Sequence, residues 1–371
     1  MPVYLVLVAC LLVVRATQSH HRRGVILPSR GYDRTRDPDL LPDDKSADFL
    51  ASERVESEID GCNGYVGYCN KRVSQVLWIG AHNALSDDGF ALQRNQFVDG
   101  AALLDAGIRY FDIDTCAYAH DGKRIAPMVC HGYEWWKAQL YQPTSRGLHI
   151  IKAWLDVHPR EVIFLNFGDI ADFMALDDSH QATPTRQLHH ELLAVVRSVF
   201  GTMAVLRGDP WDRQINLDEA RIKDLIAANR RVIVNVDKAE SDMLAFWGQD
   251  DRVCNDAWYA ESLHVDVWRL DYDWTPVLDN IEENMRNPCA NSSRILRKLE
   301  FAFYTALGGT VDSSHVGAAL AKYMERLKAR NQTKMHSPPY APFNLVLTDH
   351  SDKWRAYYSE WHANQINSFD D

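Results

Sequence analysis

Positive charge is what this sequence is short of. Lys and Arg number 40 against 51 Asp and Glu, a net charge of −11 over 371 residues. A phosphate backbone is gripped by a basic face, so no nucleic-acid partner is expected. A small phosphate-bearing ligand would need a local cation: an imidazolium, a lysine or a metal ion. Also missing are a G-x-G-x-x-G loop and a Walker sequence, which removes the usual nucleotide-cofactor readings. No C-x-x-C pair, H-E-x-x-H or His-x-His occurs, which disfavours zinc. No internal repeat is evident. Beyond the N-terminus, no apolar run is long enough to cross a bilayer.

The apolar block that does occur at the start, Val3–Val14, is about a dozen residues. That is short of a membrane span and suits the h-region of a signal peptide, with a small-residue cleavage site around Ala16–Ser19. The expectation is a signal peptide over residues 1–19 and a secreted, extracellular protein. Residues 20–58, rich in Arg, Asp, Pro and Ser, read as a flexible leader or propeptide. The folded domain is then 59–371. Loss of Cys10 with the signal leaves Cys62, Cys69, Cys116, Cys130, Cys254 and Cys289, an even number that suits export. Sequence proximity favours Cys62 with Cys69, Cys116 with Cys130 and Cys254 with Cys289. Sequons at Asn291 and Asn331 are candidate glycosylation sites.

Short apolar segments then alternate with helical patterns. "VSQVLWIGA", "AGIRYFDIDT", "IAPMVCHG", "REVIFLNFGD", "RRVIVNVDK", "SLHVDVWRL", "EFAFYTALGG" and "FNLVLTDHSD" read as strands. "LHIIKAWLDVH", "NLDEARIKDLIAANR" and "HVGAALAKYMERLKARN" read as helices, the second capped by Asn216 or Asp218. This predicts a single-domain α/β fold, a TIM-like (β/α)₈ barrel with room for distortion, ahead of a doubly wound sheet.

In such a barrel the C-terminal ends of the strands converge on the active face. Polar residues collect there. Strand one ends in His82-Asn83, and strand two carries Asp112 and Asp114, two apart and so on one side of the strand. Strand three ends at His131, strand four around Asn166, strand five holds Asn235 and Asp237, and the last ends at Asp349. So many buried polar groups at one end are costly without a ligand or metal. Two imidazoles supply a general base and a general acid near neutral pH. Two acids and an amide offer the hard oxygens that Ca²⁺, or alternatively Mg²⁺, prefers. The chemistry such a set suits is phosphodiester cleavage. Trp135, in an aromatic stretch after His131, and Lys238, next to Asp237, are candidate substrate-binding residues.

Four blocks, "IGAHNALS", "GIRYFDIDT", "MVCHGYE" and "HPREVIFLNFGD", resemble in order and spacing the X region of phosphatidylinositol-specific phospholipase C. They run from about Cys62 to Ile170, and "CNGYVGYCNKRVSQVLWIGAHNA" is similar to secreted, fungal-type members of that phosphodiesterase superfamily. The resemblance implies His82 and His131 as the catalytic pair, with His82 the base and His131 the acid, and Asp349 as the carboxylate that orients His82. It implies Asn83, Asp112 and Asp114 as calcium ligands, with Asn166 the nearest match to a fourth and Asp169 lying beyond it. The implied reaction is attack by an inositol 2-hydroxyl on phosphorus. The expected substrates are phosphoinositides, glycosyl-inositol anchors or glycerophosphodiesters, met by a monomer with peripheral contact to a membrane surface. Two alternatives on the same barrel are a glycerophosphodiesterase or sphingomyelinase D type of enzyme and a catalytically weak secreted binding protein.

Overall fold

The computed structural model describes residues 61–64, 67–73, 76, 78–88, 94–132, 138–206, 210, 214, 219–236, 253–254, 296–301 and 345–353. All of them fall within one compact unit, Pro42–Asp371. The expected signal peptide and leader, Trp135, Asp237, Lys238, the Cys254–Cys289 pairing, Asn291 and Asn331 lie outside the described residues.

Among the described residues, eleven strands make one connected sheet. In chain order they are β1 (Trp78–Ala81), β2 (Tyr110–His120), β3 (Lys123–His131), β4 (Gln139–Pro143), β5 (Ile163–Leu176), β6 (Ala182–Thr183), β7 (Ala204–Val205), β8 (Val232–Val236), β9 (Val253–Cys254), β10 (Leu296–Phe301) and β11 (Leu345–Thr348). Eight of them pair side by side in the order β7-β8-β5-β2-β1-β11-β10-β9, and all seven of these pairings are parallel. That is the strand arrangement of a distorted α/β barrel, left open between β7 and β9 among the described residues. The first eight positions of β2 and the first six of β5 are buried without alternation, as expected of strands covered on both faces.

One expectation is corrected. "IAPMVCHG" is not a parallel barrel strand but the return arm of a hairpin, β3 antiparallel to β2, with β4 antiparallel to β3 in turn. The reason is local: Asp121 and Gly122 join the two strands with φ of 51° and 71°, the left-handed pair that closes a tight two-residue turn.

Helices cover the sheet. α1 (Gly100–Asp105) is capped by Asp99, whose carboxylate accepts from Ala102 N at 2.9 Å. α2 (Thr144–Val157) buries Thr144, Gly147, Leu148, Ile151, Trp154 and Leu155, a stripe at helical spacing, and packs against α1 and α3. α3 (Arg186–Phe200) starts where the Thr185 hydroxyl accepts from Leu188 N at 3.2 Å. α4 (Ile222–Ala227) begins later than the expected cap at Asn216 or Asp218. Its N-cap is Arg221, because Asp224 Oδ2 accepts from Arg221 N at 3.1 Å. The core between sheet and helices holds Trp78, Tyr110, Phe111, Phe164 and Phe167, all fully buried.

Gly80, inside β1, sets how closely its neighbours approach. A Cβ there would stand 2.5 Å from Leu347 Cδ2 and 2.7 Å from Tyr110 Cδ1. The small Gly-Ala step before His82 is thus a packing requirement of the β1 contacts with β2 and β11.

Candidate active site

β1 delivers His82. Its N–H donates to the Thr348 carbonyl at 3.0 Å, carrying the β1–β11 ladder one residue past the strand. The chain then turns through Asn83 and Leu85, both left-handed with φ of 45° and 67°. Asn is among the few side chains that tolerate that conformation. Asp349 follows β11 directly, and its Oδ1 lies 2.8 Å from His82 Nδ1. Both residues are buried.

The hairpin delivers the second histidine. His131 Nδ1 lies 2.8 Å from Asp114 Oδ2. Burial, and then the charge of Asp169, push the Asp114 carboxyl up, while the His131 hydrogen bond opposes them. Burial pulls the His131 pKa down, but the hydrogen bond to Asp114 and its charge outweigh it, so the net shift is upward. The Cys116–Cys130 disulfide, Cα atoms 6.0 Å apart, staples the two hairpin arms beside this pair. The Cys62–Cys69 disulfide closes the segment ahead of β1.

Asp112 sits in a polar rung across three strands. Asp112, Asn166 and Asn235 are register partners on β2, β5 and β8. Asn235 Nδ2 donates to Asn166 Oδ1 at 2.6 Å, and Asn166 Nδ2 donates to Asp112 Oδ1 at 2.6 Å. The Asn166 carbonyl is therefore already an acceptor, and its amide nitrogen faces the carboxylate. Asn166 thus props Asp112 through its amide nitrogen.

Three residues near the dyads escaped the sequence reading, and a fourth was noted only as lying beyond Asn166. Asn95 Nδ2 donates to Asp349 Oδ1 at 2.8 Å. Gln96 Nε2 donates to the carbonyls of His82 and Thr348 at 2.7 and 3.0 Å, and Gln96 Oε1 accepts from Ser351 N at 3.0 Å. Tyr141 on β4 is held protonated by burial and then by the charges of Asp114 and Asp349. The fourth, Asp169, sits at a bulge in β5, where the β2 register passes from Asp114–Gly168 to Cys116–Ala171, with φ of 39°. No motif marks Asn95 or Gln96, which lie in an irregular loop. Asp169 was visible as an acid just past the Asn166 position.

Among the described residues no group of three or more His, Cys, Asp or Glu is arranged to hold a metal ion. The candidate donor set is instead two carboxylates and one amide. Asn83 Oδ1 is buried with no hydrogen-bond partner. A Cβ at Gly168 would stand 3.6 Å from Asp114 Oδ1 and 3.7 Å from Asp112 Oδ1, so the bare glycine leaves space beside both. Those oxygens suit a hard cation in kind.

Residues 68–245 match the family model for PI-PLC X. That stretch is similar to the PI-PLC X family. His82, Asn83, Asn95, Asp112, Asp114, His131 and Asn166 all lie within the matched stretch, and Asp349 lies beyond it. Similar to it is a PI-PLC X domain-containing protein 1 of Arthroderma benhamiae, 29% identical over 191 residues that cover 50% of this chain and 54% of that protein. The chain thus spans about half the length of that curated relative. Among solved structures, a variant of the phosphatidylinositol-specific phospholipase C from Staphylococcus aureus aligns with 13% identity and a TM-score of 0.44, covering 78% of this chain and 93% of that one. The phosphatidylinositol-specific phospholipase C from Listeria monocytogenes aligns with 14% identity and a TM-score of 0.42, covering 78% and 94%.

Proposed function

We propose that this chain is a secreted phosphodiesterase of the phosphatidylinositol-specific phospholipase C type. The observation that carries the reading is a pair of histidine–carboxylate dyads, His82–Asp349 and His131–Asp114, each joined through Nδ1 at 2.8 Å. With Nδ1 of each ring donated to a carboxylate, proton transfer falls to Nε2 on both. His82 Nε2 takes the proton of the attacking inositol hydroxyl as the new O–P bond forms. His131 Nε2, whose ring Asp114 biases toward the protonated form, gives its proton to the leaving oxygen as the old P–O bond breaks. The products are a cyclic inositol phosphate and a free alcohol or diacylglycerol. Asp112, Asp114 and the Asn83 carbonyl would hold a calcium ion, which supplies positive charge to the phosphate oxygens when bound.

Two disulfide-linked pairs suit an oxidising, extracellular setting. Phe97, one residue past Gln96, and Leu140, one residue past Gln139, are exposed apolar side chains on segments that bear on the site. They support contact with a lipid surface.

The test is release of cyclic inositol phosphate from phosphatidylinositol vesicles with calcium present. We expect His82→Ala and His131→Ala each to abolish it. Release of choline from sphingomyelin, or of glycerol phosphate, without any cyclic inositol phosphate would move the chain to another barrel phosphodiesterase type. No cleavage of any of these would leave the binding-protein reading.

A further inference from the structure

We propose that Asn95 is a positioning residue: it ties the Asp349 carboxylate of the His82 dyad to the Asn83 amide and turns the Asn83 carbonyl toward an incoming ligand. The proposal rests on the two-histidine reading above. Asn95 Nδ2 donates at 2.8 Å to Asp349 Oδ1, the same oxygen that meets His82 Nδ1. A carboxylate only accepts, so the amide nitrogen of Asn95 must face it. The other end of that amide, Oδ1, then accepts from Asn83 Nδ2 at 3.1 Å. This fixes the second amide as well: its nitrogen faces Asn95 and lies 3.3 Å from His131 Nδ1.

The consequence is the orphan oxygen. With its nitrogen committed, Asn83 leaves Oδ1 buried and without a hydrogen-bond partner. A buried acceptor in that state is costly, and a ligand that brings a donor or a cation relieves the cost. Asn95 itself is pinned from both sides. Ser86 Oγ accepts from Asn95 N at 3.2 Å, and the Asn95 carbonyl accepts from His350 N at 2.8 Å. One buried amide thus reads the position of the exit from β11 and passes it to the turn after β1.

The experiment is a double-mutant cycle assayed on phosphatidylinositol vesicles, with Asn95→Ala, Asn95→Asp and Asp349→Asn. Asn95→Ala lowers kcat roughly ten- to a hundredfold with KM held within about twofold, the size expected for outer partners of a site. Asn95→Asp keeps the acceptor for Asn83 but loses the donor to Asp349, and falls as far. Combining Asn95→Ala with Asp349→Asn costs no more than Asp349→Asn alone, because both act through one contact. Losses that multiply, or an unchanged kcat in the folded variant, overturn the proposal. Independently of turnover, the Nδ1–H resonance of His82 and the side-chain amide resonances of Asn83 both move in Asn95→Ala; movement of either alone overturns the link between Asp349 and Asn83. Should the parent protein cleave no phosphatidylinositol, the functional reading fails while the resonances still decide the role of Asn95.

Discussion

Asp114 and His131, 17 residues apart in sequence, meet at 2.8 Å across the β2–β3 hairpin. Since Asp114 lifts the His131 pKa above its ordinary 6.5, His131 holds its proton to higher pH than a free imidazole does. The alkaline limb of a kcat profile, set by loss of that proton, therefore lies above pH 6.5. In Asp114→Asn the lifting charge is gone and burial, which favours the neutral ring, remains. The limb then moves to lower pH and the rate falls about a hundredfold or more. A limb at the same pH in both proteins would remove His131 from the role of acid.

Gly80→Ala tests whether β1 packing aligns a dyad. The added methyl meets Leu347 and Tyr110, and overpacking of this kind costs about 1–3 kcal/mol. Because β1 and β11 carry His82 and Asp349 at their ends, activity should fall by more than the fraction unfolded explains. Denaturant unfolding and kcat measured on one preparation decide it.

The Cys116–Cys130 bridge closes a loop of 14 residues in sequence. Replacing both cysteines by serine should lower stability by about 3 kcal/mol. It also frees the β3 arm that carries His131, so activity drops under conditions where the sheet is still folded. Coincident midpoints for activity and for far-UV signal would sink this.

Lipid contact predicts a split between substrates. Phe97→Ser and Leu140→Ser remove exposed apolar surface, so each raises the vesicle concentration needed for half-maximal rate severalfold. Cleavage of water-soluble glycerophosphoinositol changes little. Equal effects on both substrates would place these side chains in the fold and not at an interface.

Strand ends were the legible part of this site. His82, Asp112, Asp114, His131 and Asp349 are all marked in the sequence by polar residues that stop or interrupt apolar runs, and the structure gathers them into two dyads and a rung. The direction of the third segment was misread although a signal stood in plain view. "AHDGKR" carries an Asp-Gly pair between strand-like residues, which marks a tight hairpin. Asn166 shows a different limit. Its residue type fits a ligand, but whether its amide turns oxygen or nitrogen toward Asp112 depends on Asn235, 69 residues away. Asn95 and Gln96 gave no signal at all, because their partners are backbone groups and carboxylates brought near only by the closure of β1 against β11.

The two dyads also differ in the span of chain each must bring together. Asp114 and His131 sit on one ribbon with a two-residue turn, so their meeting needs only local chain closure. His82 and Asp349 are 267 residues apart, and closing so long a loop comes late and slowly. A growing chain can therefore assemble one half of the site well before the other. The Asp114–His131 pair needs only the hairpin, whereas His82 waits until β11 docks beside β1 and brings Asp349. Catalytic competence would then be a report that the last strand has arrived.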